Sequence, residues 1–279
     1  MPSEDGSGWF ADAEPADPAS GAAAIRDGAA DAAADWPALA VESGFVADAD
    51  EYYERLHEAA LLAAREEAGE RERAADQQLI HAVRAMDDCA RTANELAERL
   101  VEWAGSRWDL DASGVEFARQ VAHREPADAT EERVVSLATR VADLADERDA
   151  LRAYVERETP TVAPNLAAIA GPVLAARLIA LVGGLESLAK KPSGTVQVLG
   201  AEDALFAHLA GRAPSPKHGA IYTHEYVRGT KKSERGSAAR ALAGKLAIAA
   251  RVDHSPGERK PEIDAELDER IDRIRGHES

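Results

Sequence analysis

Residues 76–108 read DQQLIHAVRAMDDCARTANELAERLVEWAGSRW, and the spacing of their apolar side chains decides the fold class. Leu79, Val83, Met86, Ala90, Ala93, Ala97 and Leu100 follow one another at intervals of 4, 3, 4, 3, 4 and 3, a heptad seam flanked by Arg, Asp and Glu. The pattern predicts a long helix with one narrow apolar stripe. Upstream the helical reading reaches back to Glu51, with Gly69 as its weak point and Asp48 or Asp50 as its N-cap. Downstream, Trp103, Gly105, Trp108 and Gly114 interrupt it. A second seam follows at Val134, Leu137, Val141, Leu144, Arg148, Leu151 and Val155, broken only by Arg148. The chain is therefore expected to reverse between the seams, so that two helices pack antiparallel. The alanines of the first seam permit a close approach.

The length, 279 residues, allows two or three modest domains. The net charge of -18 argues against a polyanionic partner until it is divided along the chain. Residues 1–170 carry -21, residues 171–254 carry +6, and residues 255–279 carry -3. All seven lysines lie at position 190 or later, and six of them fall between Lys190 and Lys245. One basic segment sits inside a strongly acidic protein. Few lysines, many acids, abundant alanine and few aromatics resemble the proteins of an organism with molar salt in its cytoplasm, where exposed charges are screened within a few ångströms.

Other classes are excluded quickly. The single cysteine, Cys89, rules out a disulfide framework within the chain and a thiolate metal cluster. The eight histidines include no H-E-x-x-H or comparable ligand pair. The strongest apolar run, Val173 to Val182, contains Arg177 and is too short to span a membrane. The N-terminus shows acids and no basic region before an apolar stretch, so no signal peptide is read. A soluble, cytoplasmic protein is expected.

Residues 1–35 are rich in Ala, Asp, Gly and Pro and read as loosely ordered or as one side of a docking module. Trp36, Leu39, Val41, Phe45 and Val46 are candidates for a small core. Pro160 and Pro164 are expected to end the second long helix. Ile263, Leu267, Ile271 and Ile274 stand at helical spacing and predict a short amphipathic helix in the tail.

Between these, VAPNL (162–166), ARLIALVGGLESLAKKPSGTVQVLGAEDALF (176–206), SPKHGAIY (215–222) and ALAGKLAIAARVD (241–253) resemble the Nop domain. The stretch at 76–108 is similar to the coiled-coil entry of the same family. The resemblance implies an archaeal, haloarchaeal-type scaffold of box C/D ribonucleoproteins. Its fold would be mainly α: an antiparallel coiled coil plus an all-α Nop domain, with a small α/β or partly disordered N-terminal region. The implied divisions are residues 1–70 for docking fibrillarin, 71–160 for dimerisation, 161–256 for RNA and 257–279 as an acidic amphipathic tail. Thr195 to Leu199 and Ala220 to Val227 look like strands by composition. The resemblance assigns them instead to loops or short extended pieces.

In that family the scaffold is not itself a methyltransferase and has no cofactor of its own. Fibrillarin carries S-adenosylmethionine, the coiled coil forms a homodimer, and the Nop domain grips a kink-turn guide RNA already bound by a ribosomal-type protein. The coiled-coil residues implied for dimerisation are Leu79, Val83, Met86, Leu100, Val134, Leu137, Val141, Leu144 and Leu151. Lys190, Lys191, Lys217, Lys231, Lys232, Arg235, Arg240, Lys245 and Arg251 supply cationic donors for phosphates. Thr195 and Gln197 add neutral hydrogen bonds, and His218 and His224 complete the candidate RNA-binding set.

Three departures touch single sites. Asp203 stands where the family usually has a basic residue, and Ala207 where it has an arginine. Thr223 occupies a place commonly held by histidine, with His224 next in line as a substitute. An assembly factor with the same domain but no methyltransferase partner is the alternative. A self-sufficient methyltransferase is disfavoured, because no glycine-rich strand–turn–helix loop for S-adenosylmethionine is present. A purely structural coiled coil leaves the basic segment unexplained.

Overall fold

The computed structural model describes residues 8–15, 17–28, 33–108, 110–255 and 258–276. The chain divides into two units, residues 1–74 and 75–279. Every regular element among the described residues is helical.

The first unit contains α1 (Pro18–Asp27), α2 (Trp36–Glu42) and α3 (Ala49–Arg73), after a 3-10 turn at Trp9–Ala11. Asp48 starts α3: its carboxylate accepts the Glu51 N–H at 2.9 Å, and the Glu51 carboxylate accepts the Ala47 N–H at 2.8 Å. This reciprocal cap satisfies two backbone donors at once. Gly69 lies inside α3, and the helix ends instead where Ala74 turns extended. The core is aromatic, with Phe10, Ala40, Val46 and Tyr52 buried against Trp9, Trp36, Phe45 and Leu56. Leu39 and Val41, expected in that core, stay exposed. Gly21 is required where α1 meets α3, because a Cβ there would stand 2.9 Å from the Trp9 ring and 3.0 Å from the Ala59 Cβ. Helices thus replace the α/β alternative for this region. The expectation of partial disorder falls partly on residues 1–7, 16 and 29–32, outside the described residues.

The second unit opens with a hairpin of α4 (Ala75–Ala104) and α6 (Ala129–Val162), joined through α5 (Gly114–Ala122). Ala97, Leu100 and Ala104 near the end of α4 pack with Val134, Ala138 and Val141 near the start of α6. Ala82 and Val83, near the other end, pack with Val155. The pairing is therefore antiparallel. Asp128 caps α6 at the Glu131 N–H, 2.8 Å away, which holds its carboxyl below the usual range. Pro160 does not end α6, which runs on to Val162.

The two seams fare differently. On α4, Leu79, Val83, Met86, Ala93, Ala97 and Leu100 are all buried. On α6 the buried line is Val134, Ala138, Val141, Ala145, Val155 and Thr159, while Leu137, Leu144 and Leu151 are only half-buried. The small side chains face the hairpin partner, where α4 and α6 come close, and the leucines lie to the side. Leu79, Val83, Met86, Leu100, Val134 and Val141 are therefore consumed inside one chain and are not open to a second copy. Of the nine dimerisation candidates, only Leu137, Leu144 and Leu151 keep accessible surface.

The rest of the unit is α7 (Pro164–Ala170), α8 (Pro172–Val182), α9 (Leu185–Ala189), α10 (Ser193–Val198), α11 (Glu202–Leu209), α12 (Glu225–Arg228), α13 (Arg235–His254) and α14 (Pro261–Gly276). The two segments assigned to loops by resemblance are helical turns: 195–198 belongs to α10, and Ala220–Thr223 is a 3-10 turn leading to α12. α13 is the axis, and α7, α9, α10, α12 and α14 pack on it. Its alanines at 238, 239, 243, 247, 249 and 250 are buried beside Leu242 and Leu246, so several helices approach its backbone closely. The tail is not a separate element. Ile263, Leu267 and Ile271 of α14 are buried in the same core as α7, α8 and α13.

Two motifs far apart in sequence close this core. The Asp253 carboxylate accepts the N–H groups of Asn165 at 3.0 Å and Leu166 at 2.8 Å, so the end of α13 caps the start of α7. Asn165 is fully buried; its amide nitrogen donates to Asp253 at 2.7 Å and to the Glu258 carbonyl at 3.3 Å. Its carbonyl oxygen accepts from the Lys260 N–H at 2.6 Å. The coil is fastened to the same body. Asp76 accepts the Leu185 N–H at 2.9 Å, Gln77 donates to the Gly183 carbonyl at 3.2 Å, and Asp87 pairs with Arg177.

Candidate nucleic-acid interface

α13 exposes a narrow stripe carrying Arg240, Ile248 and Arg251. Arg240 and Arg251 share this face, as their spacing requires, about 16 Å apart along the axis. Cationic groups gather at both ends of the stripe.

The first group surrounds the opening turns of α13. The Gln197 side chain donates to the Lys217 carbonyl at 2.7 Å, and the backbone bonds Gly219 N–H to Gln197 O (2.9 Å) and Ala220 N–H to Leu199 O (2.7 Å) dock this loop on α10. Gly219 is obligatory there, since a Cβ would lie 1.9 Å from the Leu199 carbonyl oxygen. The loop lays the Lys217 side chain beside Gly236, with Cδ 3.8 Å from where a Cβ would be. Arg240 is four residues on and shares that face. Lys231 and Lys232 are exposed on the turn just before α13. The His218 ring stacks on Tyr222 with centroids 4.5 Å apart and planes inclined by 24°. Tyr222 had no part in the expected set; the I-Y pair in the sequence was its only signal.

The second group lies at the junction of α9 and α10. Lys190 and Lys191 follow α9 directly, and Lys190 pairs with Glu186 at 2.6 Å while staying largely exposed. Thr195 is half-buried on α10.

Four expected RNA contacts are engaged inside the domain instead. Arg251 donates from Nε to the Ala189 carbonyl at 3.1 Å and from Nη2 to the Lys191 carbonyl at 3.4 Å, so it caps α9 and fixes the Lys190–Lys191 turn. Arg235 donates to the carbonyls of Thr230 at 3.0 Å and Arg228 at 3.3 Å and to the Tyr222 hydroxyl at 3.3 Å. Lys245 is turned toward the tail and pairs with Glu266. His224 is not the substitute for the position held by Thr223: its Nδ1 accepts the Tyr226 N–H at 3.2 Å, and its Nε2 lies 2.9 Å from the Ile169 carbonyl. The exposed cations are Lys190, Lys217, Lys231, Lys232 and Arg240, with the half-buried Lys191 and His218 beside them.

The His224 arrangement has a pH signature. Nδ1 must be an acceptor to cap α12, so the ring is neutral, with its proton on Nε2 toward Ile169. Burial is the main cause that pulls its pKa below the ordinary 6.5. The unfolded chain therefore binds a proton more readily, and stability present above pH 6.5 should decline as the pH falls below it. A His224→Asn variant keeps a capping acceptor and should flatten that decline in melting curves between pH 7 and pH 5. An unchanged slope would remove His224 as its source.

α11 differs in kind from its neighbours. It has no buried residue, carries Asp203 and Ala207, and exposes Phe206 and Leu209. Among the described residues, no group of three or more His, Cys, Asp or Glu side chains is placed to hold a metal ion, and no single helix is long and apolar enough to cross a membrane.

Comparison with known proteins agrees with this geometry. The family described as "Nop: snoRNA binding domain, fibrillarin" matches residues 74–275, beginning at the division between the two units and including α14. An uncharacterized NOP5 family protein of Methanocaldococcus jannaschii is 34% identical over 271 residues, covering 84% of this chain and 66% of that protein. Nucleolar protein 58 of Scheffersomyces stipitis is 37% identical over 153 residues, covering 53% of this chain and 30% of that protein. Nucleolar protein 56 of Schizosaccharomyces pombe is 42% identical over 123 residues, covering 44% and 25%. The chain thus spans less than two thirds of the length of these relatives. A crystal structure of a fibrillarin/Nop5p complex shares the fold, with a TM-score of 0.54 at 24% identity over 92% of this chain and 91% of the matched one. On the match over residues 74–275, the chain belongs to the Nop family.

Proposed function

We propose that this chain is the non-catalytic core scaffold of a box C/D guide ribonucleoprotein. It binds a kink-turn RNA together with its ribosomal-type protein and positions fibrillarin for 2'-O-methylation of ribosomal or transfer RNA. The observation that carries this reading is the cationic face along α13, built in a family domain described as snoRNA-binding. Its donors differ in role: Lys217, Lys231, Lys232 and Arg240 reach outward for phosphates, while Arg235 and Arg251 hold the loops that present them. Phosphate contacts of this kind set register and orientation and carry no base information. Sequence choice is left to the guide RNA.

The remaining parts fit a ruler. α4 has 30 residues, about 45 Å of helix, and its ties through Asp76, Gln77 and Asp87 fix its direction from the RNA-binding body. Leu137, Leu144 and Leu151 recur every seventh residue along α6, keep part of their surface accessible and are the homodimer contact. The first unit docks fibrillarin, which brings S-adenosylmethionine; the scaffold itself binds no cofactor. The setting is a haloarchaeal-type cytoplasm, where acidic units stay soluble and the +6 segment is kept for specific contacts.

Reconstitution in molar KCl tests the reading. The chain is mixed with a kink-turn RNA, with and without the kink-turn-binding protein, and fibrillarin is then added. RNA binding should depend on that protein, and methylation should require all three. Methylation by this chain alone, or equal affinity for plain duplex RNA, would refute the proposal. Binding without methylation would favour an assembly factor.

A further inference from the structure

The tail reaches the cationic face through its last turn, and Arg275 makes the connection. Its Nε donates to the Thr230 hydroxyl at 3.1 Å, and its Nη2 donates to the Glu225 carbonyl at 3.0 Å. The guanidinium lies 5.7 Å from the centre of the Tyr226 ring. Gly229 leaves room for it, since a Cβ there would stand 3.4 Å from Nη2. Thr230 is 4% exposed, and its hydroxyl donates to the Tyr226 carbonyl at 2.6 Å. On the other side, Arg235 of α13 donates to the Thr230 carbonyl at 3.0 Å. Two arginines from two helices therefore grip one buried threonine. Arg235 continues the line, donating to the Tyr222 hydroxyl at 3.3 Å with its guanidinium 5.6 Å from the Tyr222 ring centre, and Tyr222 carries the stacked His218.

We infer that Arg275 is a positioning residue for RNA binding, acting through Thr230, Arg235 and Tyr222 to hold the Lys231–Lys232 turn and the His218 ring in register. The inference rests on the RNA-binding reading of this face. It gives α14 a task its composition hides: an acidic helix holds a basic surface in shape from behind and does not touch the RNA. The turn at 231–234 carries two cations and, left loose, would lose conformational freedom on binding; gripped at Thr230, it has already lost it. Tyr226 is fastened to the same helix by donating its hydroxyl to Asp268, which with burial pushes its pKa up to about 12.

The test compares Arg275→Met with Arg273→Met in the full-length chain. Arg273 carries the same charge half a turn away and, among the described residues, donates to the Glu269 carbonyl of its own helix, 3.2 Å away. Two quantities are read: affinity for a kink-turn RNA saturated with its kink-turn-binding protein, and the His218 ring-proton resonances, assigned with His218→Gln. Stacking on Tyr222 displaces those resonances. Arg275→Met should weaken binding about tenfold, the scale of one lost hydrogen bond from a charged donor, and shift the His218 resonances. Arg273→Met should do neither, and Arg275→Lys, which keeps the charge but has a single donor nitrogen that cannot span both acceptors, should fall between. Unmoved His218 resonances in Arg275→Met overturn the inference whether or not RNA is bound. Equal losses from both methionine variants also overturn it, because they mark a general charge effect. If the wild-type chain fails to bind the RNA complex, the proposed function falls, while the resonance measurement still decides the positioning role.

Discussion

Asn165→Ala should lower the melting temperature of the chain by about 6–12 °C. The side chain is fully buried and satisfied on both sides: its amide donates to Asp253 and the Glu258 carbonyl, and its oxygen accepts the Lys260 N–H. Removing it leaves the Lys260 N–H without that acceptor and the Asp253 carboxylate with one donor fewer. A lost hydrogen bond costs roughly 0.5–1.5 kcal/mol, and roughly 1.5–3 kcal/mol when one partner is charged as Asp253 is, so a total near 3 kcal/mol is expected, on the order of these sums. For a unit of this size, each kcal/mol moves the midpoint by roughly 2–4 °C. Asn165→Asp should be at least as damaging, because it sets a second carboxylate against Asp253 where an amide donated. Far-UV circular dichroism melts in molar KCl measure both. A midpoint within 2 °C of wild type would show that the link between the Asn165 and Asp253 motifs is dispensable.

The second large effect concerns binding. Reversing Lys217, Lys232 and Arg240 together to glutamate should weaken the kink-turn complex on the order of a hundredfold, since three charge-assisted contacts are lost. The three lie around the first turns of α13, all exposed. Thermal stability and dimerisation, read by light scattering, should stay unchanged, because none of the three enters the core or touches the α6 leucines. A similar reversal at Arg251 would not be a clean test, since its guanidinium holds the carbonyls of Ala189 and Lys191. A triple variant that binds like wild type would place the RNA elsewhere on the domain.

The fold was legible where periodicity carries it. The intervals in α4 named a line of seven residues of which all but the half-buried Ala90 are buried, because a single hairpin partner lies along that stripe. On α6 the spacing marked the right helix and the wrong line: Leu137, Leu144 and Leu151 fit a heptad as well as Ala138 and Ala145 do, and only the close approach of α4 selects the small residues. The short turns at 195–198 and 220–223 defeat propensity, since β-branched and aromatic residues there serve packing on α13. Charge picked out the segment that carries the exposed cations without showing which of its members are engaged inside the domain. A lysine or arginine in the sequence shows a donor and not its acceptor, and backbone carbonyls, which claim Arg235 and Arg251, leave no trace in composition. His224 misled for the same reason, because its partner Ile169 contributes only a carbonyl.

The bond between Asn165 and Asp253 spans 88 residues, and it dictates an order of assembly. A chain emerging from the ribosome can form its first unit and much of its coil while the later helices are still unmade. α7 receives its cap only after Asp253 has appeared, and the turn at Thr230 is gripped from behind only once Arg275 follows. Contacts this distant in sequence form late. The cationic face around the opening of α13 is thus completed only after α14 has been made, and a chain that has not yet reached Arg275 lacks the contact that holds the Thr230 turn.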